Sequence, residues 1–355
     1  MFDFIPDYVF LLAFGFILLI KGGDWFVDAA TGIAKRFHLP ELLIGATVVS
    51  IGTTLPEVMT SAIGAASGSG AMAYGNAIGS IICNTSLIAA ITIAIRPGKA
   101  DRKSLIFPVC FFFGAMAFYA LNAYIFGKFD LWMGIVLLVG FVVYMIINVL
   151  NMKKNPVEEE HKEEELNCEL PEAEGESGGG LLKDIVMLIV SALVIAVGAD
   201  LLVDNAIIVA EKLNVPQTII SLTIVALGTS LPELVTAITS LMKGHGALSL
   251  GNIIGANIFN LVLVSGTAIS INPFDVPADA TFMGQNASLI FDIPLVFIIM
   301  GIMTVPPSSR ASSPDGRALA CLPFMRRTAC CSLSFFPISP DPLAADPSVA
   351  FFTNR

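Results

Sequence analysis

The chain has 355 residues, 55% of them hydrophobic and only 14% charged. Soluble domains carry about 25% charged residues, so the composition excludes a soluble globular protein and identifies a polytopic membrane protein. The net charge of −10 comes mostly from one Glu-rich segment, and the six cysteines form neither a disulfide framework nor a zinc motif.

The N-terminus, Met1-Phe2-Asp3-Phe4, lacks the basic start and small-residue cleavage site of a signal peptide, so the first apolar helix is expected to be retained. A span needs roughly 20 apolar residues. By that measure spans are predicted at 7–30, 41–66, 71–95, 104–125, 130–150, 183–210, 216–242, 247–271 and 284–305, nine in all. Residues 151–182 form an acidic linker, from Glu158-Glu159-Glu160 to Gly178-Gly179-Gly180, that cannot bury a core and is expected to be disordered.

The chain repeats itself. Glu233 follows Glu57 by 233 − 57 = 176 positions, and the same ungapped offset relates Asp24 to Asp200, Asp28 to Asp204, Pro40 to Pro216, Gly75 to Gly251, Asn76 to Asn252, Asn84 to Asn260 and Pro97 to Pro273. Five spans precede the linker, so the second copy enters the membrane from the opposite side. That is an inverted-topology repeat, a build found in many secondary transporters. Loop charge orients it with the N-terminus outside. Lys35, Arg36, Arg96, Lys99, Arg102, Lys103, Lys153, Lys154, Lys162, Lys183, Lys243 and Arg310 then lie inside, against Lys128 and Lys212 outside.

The expected fold is thus all-α: residues 1–150 form a first half of five spans and 183–305 a second half of four. A tenth span is missing. In its place, 306–355 is rich in Pro, Ser and Cys and unlike anything upstream, as expected of a shifted reading frame from about residue 308; a natural disordered tail is the alternative.

At the centre of each copy stands one motif, Gly52-Thr53-Thr54-Leu55-Pro56-Glu57 and Gly228-Thr229-Ser230-Leu231-Pro232-Glu233. Acids inside the membrane are costly and functional by default. Pro56 and Pro232 lack an amide hydrogen, so the helix is expected to break and free carbonyls near Gly52–Thr54 and Gly228–Ser230. Two carboxylates offer four oxygens, and the Thr53 and Thr229 carbonyls bring the total to six, against the 6–8 that calcium takes. The Thr54 and Ser230 hydroxyls suit smaller monovalent ions.

The next element reads Gly75-Asn76-Ala77-Ile78-Gly79-Ser80-Ile81-Ile82-Cys83-Asn84 in one copy and Gly251-Asn252-Ile253-Ile254-Gly255-Ala256-Asn257-Ile258-Phe259-Asn260 in the other. The glycines four apart are expected to serve close helix packing. Asn84 and Asn260, amides at matching depth, are expected to face the site.

Taken together, the two blocks resemble the α-repeats of the cation/calcium exchanger superfamily, specifically its prokaryotic sodium/calcium antiporters. The resemblance covers residues 1 to about 305. It implies ten helices, a midplane cluster of four cation sites, and alternating access by sliding of the first and sixth helices. It implies that Glu57 and Glu233 share calcium with the Thr53 and Thr229 carbonyls, that Thr54, Ser230, Ser80 and the Ala226 carbonyl line sodium sites, and that Asn84 and Asn260 face the centre. Ala256 departs from the pattern by standing where the first copy has Ser80.

The expected activity is exchange of Ca2+ for Na+ across the cell (inner) membrane. The expected partners are those two ions and the lipid bilayer, with no cofactor, no nucleic acid and no enzymatic function. Alternatives are a cation/proton antiporter of the same fold, an inactive truncated fragment, a cation channel, and an intramembrane hydrolase, the last without a metal-binding His near the acids. Asp24, Asp28, Asp200 and Asp204 are expected to cap or anchor helices, His245 to be exposed in a turn, and the Phe111-Phe112-Phe113 run to face lipid or pack helices.

Overall fold

The computed structural model describes residues 7–95, 102–154, 181–213, 226–278, 281–282 and 284–304. The acidic run of the linker and the atypical tail lie outside them. The described residues form α1 (Asp7–Arg36), α2 (Glu41–Ala66), α3 (70–95), α4 (Arg102–Phe126), α5 (Leu131–Lys154), α6 (Leu181–Lys212), α7 (Leu231–Met242), α8 (Gly246–Ile271) and α9 (Ser288–Thr304). Seven are long and apolar enough to cross a membrane, while α7 and α9 are shorter apolar helices. Residues 216–225 of the predicted seventh span lie outside the described set.

The repeat is visible in the backbone. In α3, Gly70–Cys83 is followed by a π-helical turn, Asn84–Ile88, and then by Ala89–Ile95. In α8 the same sequence of states occupies Gly246–Phe259, Asn260–Val264 and Ser265–Ile271, each boundary shifted by 176. The turns that feed these helices match as well. Gly68 (φ 82°) and Gly244 (φ 86°) take the left-handed conformation that glycine adopts without a steric penalty. Each closes its helix with the paired bonds of a Schellman cap: Gly68 N–H to Ala65 and Ser69 N–H to Gly64, Gly244 N–H to Leu241 and His245 N–H to Ser240.

Contacts at the helix ends show that the copies run in opposite directions. At one face, Arg36 at the end of α1 pairs with Asp184 at the start of α6 (3.1 Å), and His245 Nδ1, just before α8, lies 2.7 Å from Glu41 Oε1 at the start of α2. Lys243, just after α7, is 2.7 Å from Asp28 on the same side. At the other face, the Asn272 amide after α8 donates to the Ala65 carbonyl at the end of α2 (3.1 Å), and strand Lys128–Phe129 pairs antiparallel with Phe274–Asp275. So α2 leaves the Lys243 face that α7 runs toward. His245 is therefore partly buried against the Glu41 carboxylate, correcting the expected exposed turn residue: the end of α7 folds back over the start of α2.

Glycines bring the helices into backbone contact, as is common where lipid supplies no hydrophobic drive for association. A Cβ on Gly15 would sit 2.9 Å from the Gly198 carbonyl oxygen, and one on Gly198 3.0 Å from that of Gly15, so α1 and α6 cross backbone to backbone. A Cβ on Gly251 would meet the Leu42 carbonyl oxygen at 2.2 Å, and one on Gly255 the Ala46 Cα at 2.6 Å. The expected packing role thus holds for Gly251 and Gly255. Around Gly75 and Gly79 nothing lies within 4 Å among the described residues, since 217–225, the counterpart of Glu41–Val49, falls outside them. An aromatic cluster of Phe112, Tyr119, Phe129, Tyr144 and Phe259, all fully buried, joins α4 and α5 to α8. The phenylalanine run packs helices here, with Phe111 4.9 Å from Tyr144, ring centroid to centroid.

Candidate cation-binding site

The two copies of the Pro-Glu motif are built differently. In α2 the helix runs without interruption from Ser50 to Ala66 with Pro56 inside it. The expected break at the first motif is absent. Proline there removes a single ladder donor, the one opposite the Gly52 carbonyl, and continuing the helix in lipid leaves fewer backbone groups unpaired than unwinding it. The irregularity sits one turn earlier, in a π-helical turn at Gly45–Val49. In the second copy the break is present. A short helical turn, Ala226–Gly228, ends at Thr229–Ser230, and α7 begins at Leu231 with Pro232 in its first turn, where a missing N–H costs nothing. Ser230 N–H bonds the Leu227 carbonyl and Leu234 N–H the Ser230 carbonyl; among the described residues no amide reaches the carbonyl of Thr229.

Both glutamates are fully buried, at 0% exposure, and lie within electrostatic range of each other. Neither carboxylate oxygen of Glu57, nor Oε2 of Glu233, has a hydrogen-bond partner among the described residues. The Thr54 hydroxyl donates to Glu233 Oε1 (3.4 Å), a contact that crosses from one copy to the other. Asn84 and Asn260, each the first residue of its π-helical turn, are fully buried, with both polar atoms of each amide unpartnered. The Ser230 hydroxyl is buried and unpartnered as well. Unpaired buried polar atoms cost about 1–3 kcal/mol each, and more when charged. Such a set of them, drawn from both copies, is a candidate ligand set for a cation. The π-turns contribute by turning Asn84 and Asn260 out of register with the flanking helix, a device frequent at functional sites.

Of the remaining predicted residues, Thr53 is buried, its hydroxyl 3.3 Å from Asn252 Oδ1, and Ser80 is buried on α3. Ala226 opens the turn just before the break. The structure thus brings the two carboxylates and Thr54 together and packs the π-turns of Asn84 and Asn260 against α7 and α2, with Thr53, Ser80 and Ser230 buried.

Several neighbours were not singled out from the sequence. Asn252 holds Ser50 and Thr53 across the copies, its Oδ1 3.3 Å from each hydroxyl. Asn76 donates instead within its own copy, to the Glu57 carbonyl (3.1 Å) and the Ser61 hydroxyl (2.8 Å). The repeat offset links Asn76 to Asn252, but only the fold reveals that one supports the glutamate helix and the other bridges the halves. Cys83 lies beside Ser230, within electrostatic range of both carboxylates.

A cleft of about 130 Å3 reaches the break from the face opposite Lys243, lined by Pro56, Thr60, Asp200, Asp204, Thr229 and Pro232. The repeat-related positions on the Lys243 face are shut. Thr236 and Val27 are fully buried, and a Cβ on Gly23 would lie 2.8 Å from Val235 Cγ1. The counterpart of Val235 is Met59, which is 59% exposed.

The sequence model of the family described as sodium/calcium exchanger protein matches residues 8–150 and 183–338. The chain is 30% identical to the sodium/calcium exchanger MaX1 of Methanosarcina acetivorans, over 83% of this chain and 89% of that protein. It is 32% identical to the inner membrane protein YrbG of Escherichia coli, over 82% and 87%. Among solved structures it is similar to the sodium-calcium exchanger NCX_Mj, with a TM-score of 0.69 and 27% identity over 91% of this chain and 98% of that one. With the helical membrane fold and two buried acids in matching repeats, these likenesses establish that the chain belongs to the sodium/calcium exchanger family of membrane transporters.

Proposed function

We propose that the protein is a secondary antiporter that exchanges Ca2+ for Na+ by alternating access to one midplane site. The observation that carries this reading is the set of unpartnered buried atoms: both oxygens of Glu57, Oε2 of Glu233, the Ser230 hydroxyl and the whole amides of Asn84 and Asn260. Two carboxylates match the charge of one calcium ion. Their oxygens, with oxygens of Thr53, Thr229 and the asparagines, reach the 6–8 ligands calcium takes. Thr54, Ser230, Ser80 and the Ala226 carbonyl would serve sodium. Both ions compete for the same carboxylates, so occupancy by one displaces the other, which separates exchange from leak.

By the loop-charge bias the Lys243 face is cytoplasmic, the cleft at Asp200 opens outward, and the protein lies in the cell membrane with its N-terminus outside. Uptake of radiolabelled calcium into proteoliposomes tests the reading. A sodium gradient should drive it, and dissipating that gradient should stop it. Uptake driven by a pH gradient alone would assign proton coupling instead, and flux that needs no counter-ion would make the protein a channel.

A further inference from the structure

The two faces carry equivalent acidic pairs in unequal company. On the closed face Lys243 Nζ lies 2.7 Å from Asp28 Oδ1, 3.6 Å from Asp24 Oδ1 and 2.9 Å from the Asp24 main-chain carbonyl, to which it donates. Lys243 sits at the capped C-terminal end of α7, the helix that carries Glu233 in its first turn, whereas Asp24 and Asp28 belong to α1. The bridge therefore ties the α1–α6 pair to the helices that carry the glutamates. Subtracting 176 from 243 leads to Ser67, in the matching cap at the end of α2. Its hydroxyl turns back onto the Ile63 carbonyl (2.8 Å). The acids it would face, Asp200 and Asp204, have no ion-pair partner among the described residues and line the open cleft. So, among the described residues, the face with the lysine is shut and the face with the serine is open.

We infer that Lys243 is a positioning residue that latches α1 to α7, biasing the transporter toward the state open at Asp200. For the other face to open, Gly23 must leave Val235, and the bonds of Lys243 to Asp24 and Asp28 must break. A cap with serine in place of lysine imposes no such requirement on the opposite face, so this cap by itself makes the two states unequal.

The latch presupposes alternating access, and it is tested by thiol access, which is read without any flux, so that either can fail alone. In full-length protein with its six native cysteines replaced, reporter cysteines are placed at Thr60 in the cleft and at Thr236, its buried counterpart. Their rates of reaction with a polar maleimide are then compared. Lys243→Gln should raise labelling at position 236 and lower it at 60, by about threefold to fivefold, the scale of a partly exposed ion pair. Lys243→Arg should restore the original rates, which mere loss of packing at that position would not predict. Ser67→Lys, which would add the equivalent latch to the Asp200 face, should shift the rates in the same direction as Lys243→Gln, slowing labelling at position 60. Unchanged rates at both reporters in Lys243→Gln would overturn the latch. Should that variant fail to fold, an unchanged rate at position 60 in Ser67→Lys would overturn it equally.

Discussion

The two Pro-Glu motifs differ by one residue in six, Thr54 against Ser230, yet one lies in an unbroken helix and the other straddles a break. Local propensity is nearly the same in both, so propensity does not decide. The first copy is clamped along its N-terminal half: Gly45, Gly251 and Gly255 bring α2 and α8 into backbone contact, and Ser50 and Thr53 are held by Asn252. The second copy has alanine, Ala226, where the first has Ser50, and so lacks that hydroxyl. A pair of near-identical sequences can thus make an asymmetric site, rigid on one side and opened main chain on the other. In the proposed site this would offer a cation the Glu57 carboxylate from one half and the released Thr229 carbonyl from the other.

The comparison is most sharply tested at the carboxylates. Glu57→Gln and Glu233→Gln should each lower sodium-driven calcium uptake by at least roughly 100-fold, the cost of one charged ligand, about 3 kcal/mol. Size-exclusion profiles should stay unchanged. If one variant retains normal uptake, only the other half holds calcium.

Next in size is the clamp. A Cβ at Gly255 would come within 2.6 Å of the Ala46 Cα, and overpacking of this kind costs about 1–3 kcal/mol. Gly255→Ala should lower the melting temperature in detergent by several degrees. Gly114→Ala, where nothing lies within 4 Å among the described residues, should leave it within about a degree.

The prolines separate the copies directly. Pro232→Ala should allow the broken helix to close, reducing uptake by about tenfold, whereas Pro56→Ala, in a helix already continuous, should change it by less than about threefold. Equal effects would mean that the break is not part of the site. The smallest effect is expected from Ala256→Ser, which gives the second copy the hydroxyl of Ser80. Half-saturation by sodium should fall by no more than about twofold to threefold, the ~0.5 kcal/mol of one added weak ligand.

Much of the candidate site was legible in the chain itself. The repeat offset picks out Glu57, Glu233, Asn84 and Asn260 because acids and amides inside apolar spans are rare, and matching rarities at a constant spacing have few explanations. The inverted arrangement followed from five spans before the linker, and end-to-end contacts in the structure agree with it. The helix break was read correctly for Thr229–Ser230 and incorrectly for Thr53–Thr54. Proline predicts one lost hydrogen bond, not whether neighbouring helices keep the rest in place. Ser50 escaped notice because its counterpart is alanine, and a search for symmetry passes over what only one half possesses.

By itself, then, the order of residues determined the membrane class, the doubling of the unit and the acids at its centre. These depend on composition and on spacing along one chain. Only the tertiary structure decided which copy opens its helix, which face is shut, and that Lys243 rather than a residue of the site bridges α1 to α7. Those outcomes arise where the halves meet, between side chains about 200 positions apart such as Ser50 and Asn252, and identical local preferences there encounter different neighbours.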